Sequence, residues 1–219
     1  VDHILKLPNY KKTPIVRIKH KDMAKRMSNH VLSQILIYQL NLNYYNEGQK
    51  KNSWLKELDT NHNNQIIIGI LGIGYLGNAV GKFLKKLNYH VIGYKNFKNK
   101  KNSLFPIYQL DNFIKKSDII VSLLPSTNKT INFINLNFLK KMKKNSLLIN
   151  VGRGEVLNES DLLKHLKNNK NFYVSLDVLK KEPLSKKSKL WQNSNITITP
   201  HIAAITDVES SVEYIHNRF

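Results

Sequence analysis

Three features of the sequence predict an α/β fold built on a doubly wound parallel sheet. Residues 66–71, IIIGIL, form an apolar run of strand character that meets Gly72-x-Gly74-x-x-Gly77. Ala79, Val80, Phe83, Leu84 and Leu87 then recur at helical spacing. Downstream, further apolar runs alternate with helical-period segments, the order that yields parallel strands joined by crossover helices.

A strand, a glycine turn and a helix start in that order is the context in which GxGxxG signifies a dinucleotide site of Rossmann type. Gly72 would permit the tight turn, Gly74 would let the backbone approach a pyrophosphate, and Gly77 would let the helix lie close on the sheet. The helix N-terminus, with Tyr75 and Leu76, presents unpaired N–H groups and a positive dipole end to the phosphates. Glycines also mark ordinary turns; the flanking strand and helix favour the dinucleotide reading.

Composition narrows the classes. A chain of 219 residues with 41% hydrophobic side chains is long enough for a packed core. It has no cysteine, which excludes disulfides, thiolate chemistry and cysteine-based metal sites. No run of 18 apolar residues and no signal-peptide pattern is present, so a soluble cytoplasmic protein without a membrane or metal partner is expected. The formal charge of +20 raises the question of nucleic acid. The lysines are scattered among abundant Asn and Ile, and no nucleic-acid motif appears. Specific recognition is therefore not expected, although non-specific polyanion binding at low salt needs only positive charge.

In chain order, Ile15–Ile18 is a short strand candidate. Met23, Met27, Val31, Ile35, Tyr38, Leu42 and Tyr45 recur three or four apart, which predicts one long amphipathic helix from about Asp22 to Tyr45. Residues 46–64 read as a linker with a packed Trp54-Leu55 patch. HVIGY, ending at Tyr94, reads as the second strand of the dinucleotide domain. An Asp or Glu at this strand's tip takes the ribose 2′-hydroxyl of NAD, whereas basic residues accept a 2′-phosphate. The sequence offers Lys95 and Lys98, which favours NADP and leaves NAD possible. Asp111 is a candidate helix cap, and residues 118–125 read as a buried strand stopped by Pro125. A helix over 136–144 and a strand over 147–151 lead into the turn Gly152-Arg153-Gly154. Asn158 reads as the cap of the next helix, and strands are predicted over 172–178 and 196–201.

With these segments in order, the sequence resembles the D-isomer-specific 2-hydroxyacid dehydrogenase family, and within it the glyoxylate/hydroxypyruvate reductase branch. The resemblance rests on ILGIGYLG, SLLPSTNKT (122–130), MKKNSLLINVGRGEVLNESDLL (142–163), LDVLKKEPL (176–184) and ITITPHIAAIT (196–206). It implies a substrate-domain remnant, a connecting and dimerisation helix and a linker over 1–64. The dinucleotide-binding domain would span 65–206, and a C-terminal helix would begin over 207–219. Family members carry substrate-domain segments before and after this region, so the chain, which starts at Val1, is expected to be part of a longer protein. A homodimer is implied.

Reducing a 2-oxo acid by hydride requires a cation for the carboxylate, a donor that polarises the ketone oxygen, and a proton for the alkoxide. The resemblance assigns these to Arg153 in NVGRG and His201 in TPH, with Glu182 in KKEPL as partner of the histidine. A guanidinium can grip a carboxylate with two hydrogen bonds. An imidazole with a reference pKa of about 6.5 can donate a proton near neutrality. The resemblance further places Leu124 and Pro125 against the nucleotide, Val151 and Gly152 on the nicotinamide side, and Asp177 at the carboxamide. An Arg in a glycine turn, a His after a strand or an Asp before a helix is, singly, more often structural. Two other readings stay open: a domain that holds cofactor without turnover, and a corepressor-like relative.

Overall fold

The structure, a computed structural model, describes residues 7–11, 15, 21–95, 105–106, 108–205 and 208–216. Among these, β1 (Ile67–Leu71), β2 (His90–Tyr94), β3 (Ile119–Ser122), β4 (Ser146–Asn150), β5 (Phe172–Leu176) and β6 (Ile196–Ile198) form one sheet in the order β2-β1-β3-β4-β5-β6. Every pairing is parallel. The chain moves outward from β1 to β2 and then returns to the other side of β1 with β3. That reversal is the switch point of a doubly wound sheet.

Both faces of the sheet are covered, so the strands read as continuous apolar runs rather than alternating ones. Ile68, Ile70, Ile119, Val121, Leu147 and Ile149 face one layer, made by α1 (Lys21–Gln39) and α3 (Tyr75–Lys86). That layer contributes Met27, Val31, Ile35, Val80 and Leu84. Leu71, Ile120, Leu148, Phe172, Val174 and Leu176 face the other layer. There Phe113 and Ile114 of α4 (Leu110–Lys116) pack beside Phe138 and Leu139 of α5 (Leu136–Lys141) and Leu162 and Leu166 of α6 (Glu159–Asn168). The period-two split of each strand between two apolar layers accounts for the burial.

The structure departs from the expected elements at several points. The single helix expected over 22–45 is two helices, α1 and α2 (Leu42–Lys50), because Asn41 adopts the left-handed conformation at φ 53°. The break is held from the side. Gln39 at the end of α1 donates through its amide to Asn61 O at 2.8 Å and Asn63 Oδ1 at 2.9 Å, and accepts the Tyr89 hydroxyl at 2.6 Å. Periodicity continues through Asn41 because Asn tolerates this backbone geometry without an apolar residue being displaced. Trp54 does not pack; it is 102% exposed, while Leu55 is half-buried against Gly48. Asp111 does not cap α4, whose N-cap is Gln109; it sits in the first turn and pairs with Lys141 at 2.8 Å. Asn158 does cap α6, accepting the Asp161 N–H at 3.1 Å. The strand expected over 118–125 ends at Ser122, before Pro125, and Ile15 lies outside any strand. Positions 16–18 and Lys98 fall outside the described residues. The last described element is α7 (Val208–His216). No helix among the described residues is long and apolar enough to cross a membrane.

Candidate active site

Because the six strands are parallel, their C-terminal ends lie along one edge of the sheet, and the residues singled out in the sequence follow those ends. Gly72 comes after β1, Lys95 after β2, Leu124 and Pro125 shortly after β3, Val151, Gly152 and Arg153 after β4, Asp177 after β5, and His201 after β6. The crevice between β1 and β3, where the winding reverses, is where ligands of such sheets bind.

At the glycine turn, Gly72 has φ +104°, a conformation that L side chains rarely adopt, and its N–H donates to Tyr94 O at 3.2 Å. Gly74 is the N-cap of α3, with an extended backbone. A Cβ at Gly77 would run into the carbonyl oxygen of Gly72, so the first turn of α3 can press on the loop only because that position carries no side chain. A Cβ at Gly74 would meet no protein atom within 4 Å. The glycine there is not demanded by packing; it leaves open space beside the helix N-terminus, on the side where a phosphate would approach. The residues present therefore fit a dinucleotide.

The loops after β3, β4 and β5 are stacked backbone on backbone. A Cβ on Gly152 would meet Leu124 O at 2.6 Å and Leu124 N at 2.8 Å, and one on Gly154 would collide with the Leu179 carbonyl. The Thr130 hydroxyl donates to Pro125 O at 2.6 Å and shapes the first of these loops. Asn150, fully buried, donates its amide to Arg153 O at 3.1 Å and holds the second. Arg153 is half-buried with an extended backbone, and its Nη1 donates to Gly152 O at 2.7 Å. A guanidinium has five N–H donors, so this one contact leaves capacity for an anion.

His201 and Glu182 meet across two loops: Nδ1 of the imidazole lies 2.8 Å from Glu182 Oε2. Glu182 Oε1 accepts the Leu179 N–H at 2.9 Å, which fixes the carboxylate. With Nδ1 donating to Glu182, Nε2 is the atom turned to other partners. His201 itself has φ +57°, left-handed, a conformation that costs about 1–3 kcal/mol for a residue with a side chain and persists only where the surroundings hold it. Asp177 is 2% exposed, and its Oδ2 accepts the Ala203 N–H at 2.9 Å. His30 of α1 is pushed below the ordinary imidazole value by burial, with the charge of Asp177 opposing. A wide cleft lies elsewhere, at the N-terminal edge of the sheet between Asn63, Lys85 and His90, away from these loops. Among the described residues no cluster of His, Asp and Glu could hold a metal ion.

The family profile described as D-isomer specific 2-hydroxyacid dehydrogenase, NAD binding domain, matches residues 32–203. The chain belongs to this family. It is therefore an NAD(P)-dependent oxidoreductase of the 2-hydroxyacid dehydrogenase class. Solved structures of members agree in fold. A D-isomer specific 2-hydroxyacid dehydrogenase from Xanthobacter autotrophicus Py2, in complex with NADPH and MES, is 26% identical, with a TM-score of 0.91 over 99% of this chain and 90% of that one. An NADPH-dependent glyoxylate/hydroxypyruvate reductase from Sinorhizobium meliloti, in complex with NADP and sulfate, is 32% identical, with a TM-score of 0.89 over 99% of this chain and 70% of that one. A probable 2-hydroxyacid dehydrogenase from Rhizobium etli CFN 42, in complex with NADP, HEPES and L(+)-tartaric acid, is 30% identical with the same TM-score and coverages.

Residues that hold the loops at this edge together carry weaker signals in the sequence. Asn150 ends a strand of otherwise apolar residues, and a polar side chain at such a position was the available signal. Gly154 was visible only as part of a turn, because the loop it must clear lies 25 residues further on. Thr199 reads in the sequence only as the strand residue before Pro200.

Proposed function

We propose that the chain reduces 2-oxo acids with NADPH, converting glyoxylate to glycolate and hydroxypyruvate to glycerate. The observation that carries this reading is the His201–Glu182 pair, at 2.8 Å, on the same sheet edge as Arg153 and the open glycine turn. The names of the S. meliloti and R. etli structures, with bound NADP, support it.

The dinucleotide would be held at its pyrophosphate by Gly72, Gly74, Tyr75, Leu76 and Gly77. Lys95 and Lys98 would serve the 2′-phosphate, and Leu124, Pro125, Val151 and Gly152 would flank the rings. Asp177 would reach the carboxamide through the acceptor capacity left on Oδ2. When bound, the reduced cofactor supplies the hydride. Arg153 holds the substrate carboxylate by charge-assisted hydrogen bonds and so fixes the ketone carbon in the crevice. His201 donates from Nε2 to the ketone oxygen and passes it the proton as negative charge develops there. Glu182, on Nδ1, keeps the ring oriented. Exposed Trp54, together with Val208, Val212 and Ile215 on α7, supports a homodimer as the working assembly.

The test is NADPH oxidation by the purified chain with glyoxylate or hydroxypyruvate. A preparation that binds NADPH yet shows no oxidation dependent on a 2-oxo acid would replace this reading with that of a cofactor-holding domain.

A further inference from the structure

Among the described residues, four hydrogen bonds join Asp177 to the turn after β6. The Asp177 carbonyl accepts the His201 N–H at 2.8 Å. Its carboxylate accepts three more donors from the same turn. These are the Thr199 hydroxyl on Oδ1 at 2.6 Å, the Ile202 N–H on Oδ1 at 2.9 Å and the Ala203 N–H on Oδ2 at 2.9 Å. The donors bracket His201 on both sides, and the residue between them is the one with positive φ. Pro200, with its fixed φ and no N–H, cannot add a donor of its own.

A buried carboxylate must be paired, and this one is paired almost wholly with the turn that presents the imidazole. Asp177 is in turn fixed to the sheet, since its N–H donates to Asn150 O at 3.1 Å and the Thr199 N–H donates to Leu176 O at 3.0 Å. The left-handed backbone at His201 is thus held from a side chain on the neighbouring strand end, and the shortest of the holding bonds comes from Thr199. We propose that Thr199 is a positioning residue: its hydroxyl completes the Asp177 clamp that locks residues 199–203 and so aims His201 at Glu182. Asp177 then acts on the reaction through the backbone of His201, in addition to any contact with the nicotinamide. The effect on turnover rests on the reading of His201 as proton donor; the clamp itself does not.

Thr199→Val keeps the shape of the side chain and removes the donor, and Thr199→Ser restores the donor. Amide hydrogen exchange at His201, Ile202 and Ala203 in the cofactor-free protein reads the clamp without turnover. Exchange there should quicken roughly tenfold or more in Thr199→Val, as expected for loss of a hydrogen bond to a charged group, and return in Thr199→Ser. With 2-oxo acid and NADPH, kcat should fall roughly tenfold while the Kd for NADPH stays within about twofold, because the glycine turn is untouched. Unchanged exchange at 201–203 in Thr199→Val overturns the clamp. Faster exchange with unchanged kcat in an active parent overturns the positioning role. Faster exchange in a parent that binds NADPH but never turns over leaves the clamp standing and removes the proposed reductase activity instead.

Discussion

His201 Nδ1 and Glu182 Oε2 lie 2.8 Å apart although 19 residues separate them, and the pair keeps side-chain exposures of 49% and 38%. A pair this open to solvent adds little to stability, since screening and side-chain entropy offset the attraction. Under the proposed function its role is proton delivery instead. His201→Asn should lower kcat by about 10²–10⁴-fold, the range for removing a positioned acid. Glu182→Gln, which leaves the imidazole in place and removes only its orienting charge, should cost less and leave the melting temperature unchanged. Equal losses in the two variants would contradict the division of roles.

Arg153→Ala should act on substrate rather than cofactor. A 2-oxo acid whose carboxylate loses its guanidinium forfeits hydrogen bonds of about 1.5–3 kcal/mol each, so kcat/KM for glyoxylate should drop at least about tenfold. The Kd for NADPH, read by fluorescence titration, should hold. Retained kcat/KM in the variant would remove Arg153 from the mechanism.

Gly74 and Gly77 are separable by experiment. A methyl at Gly74 meets nothing within 4 Å, so Gly74→Ala should change stability by no more than about 0.5 kcal/mol and yet weaken NADPH binding. A methyl at Gly77 runs into the Gly72 carbonyl, so Gly77→Ala should lose about 1–3 kcal/mol as an overpacked contact. Denaturant melts and cofactor titrations on both variants decide it; a destabilised Gly74→Ala would mean that packing, and not a ligand, requires that glycine.

The contrast between these glycines marks how far the sequence could be read. Spacing placed Gly72, Gly74 and Gly77 at one turn, and the succession of apolar runs and helical-period segments placed the sheet, because both signals are local in the chain. The break at Asn41 was not legible, since it depends on Gln39 finding Asn61, Asn63 and Tyr89 far along the chain. Trp54 was expected to pack because large apolar side chains usually do; only the fold reveals that no described part of the chain covers it. At the site, the residue types at strand ends were legible and the resemblance implied the Glu182–His201 pair, whereas the hydrogen bonds that gather on Asp177 were not legible. Nothing local links Thr199 to Asp177, 22 residues away.

Lys95 follows β2 directly and stands at the exposed edge, where a ribose 2′-phosphate would lie. Lys95→Asp replaces a cation by the group that accepts a 2′-hydroxyl. The ratio of NADPH to NADH affinity should fall in the variant, with the change mainly in NADPH and steepest at low salt. Equal affinity of the parent for both cofactors would remove Lys95 from cofactor choice.

Acid should weaken the fold before its carboxylates titrate. The His165 ring is buried edge-on against Phe172, with centroids 4.6 Å apart. Burial first, and the charge of Lys140 second, push this imidazole below its ordinary 6.5; burial does the same to His30, against the opposing charge of Asp177. The folded protein therefore keeps both rings neutral at a pH where the unfolded chain has begun to protonate them. Because the unfolded state binds more protons there, stability is full above about pH 6.5 and falls as the pH drops from that value toward the lower folded-state values. Carboxylates contribute only nearer pH 4, so the interval between about pH 7.5 and pH 5.5 isolates the histidines. Urea midpoints compared across that interval should fall for the parent and fall by less for His165→Gln, which retains a polar side chain without the ionisable ring. A drop of the same size in both proteins would assign the acid sensitivity to His30 or to groups other than His165.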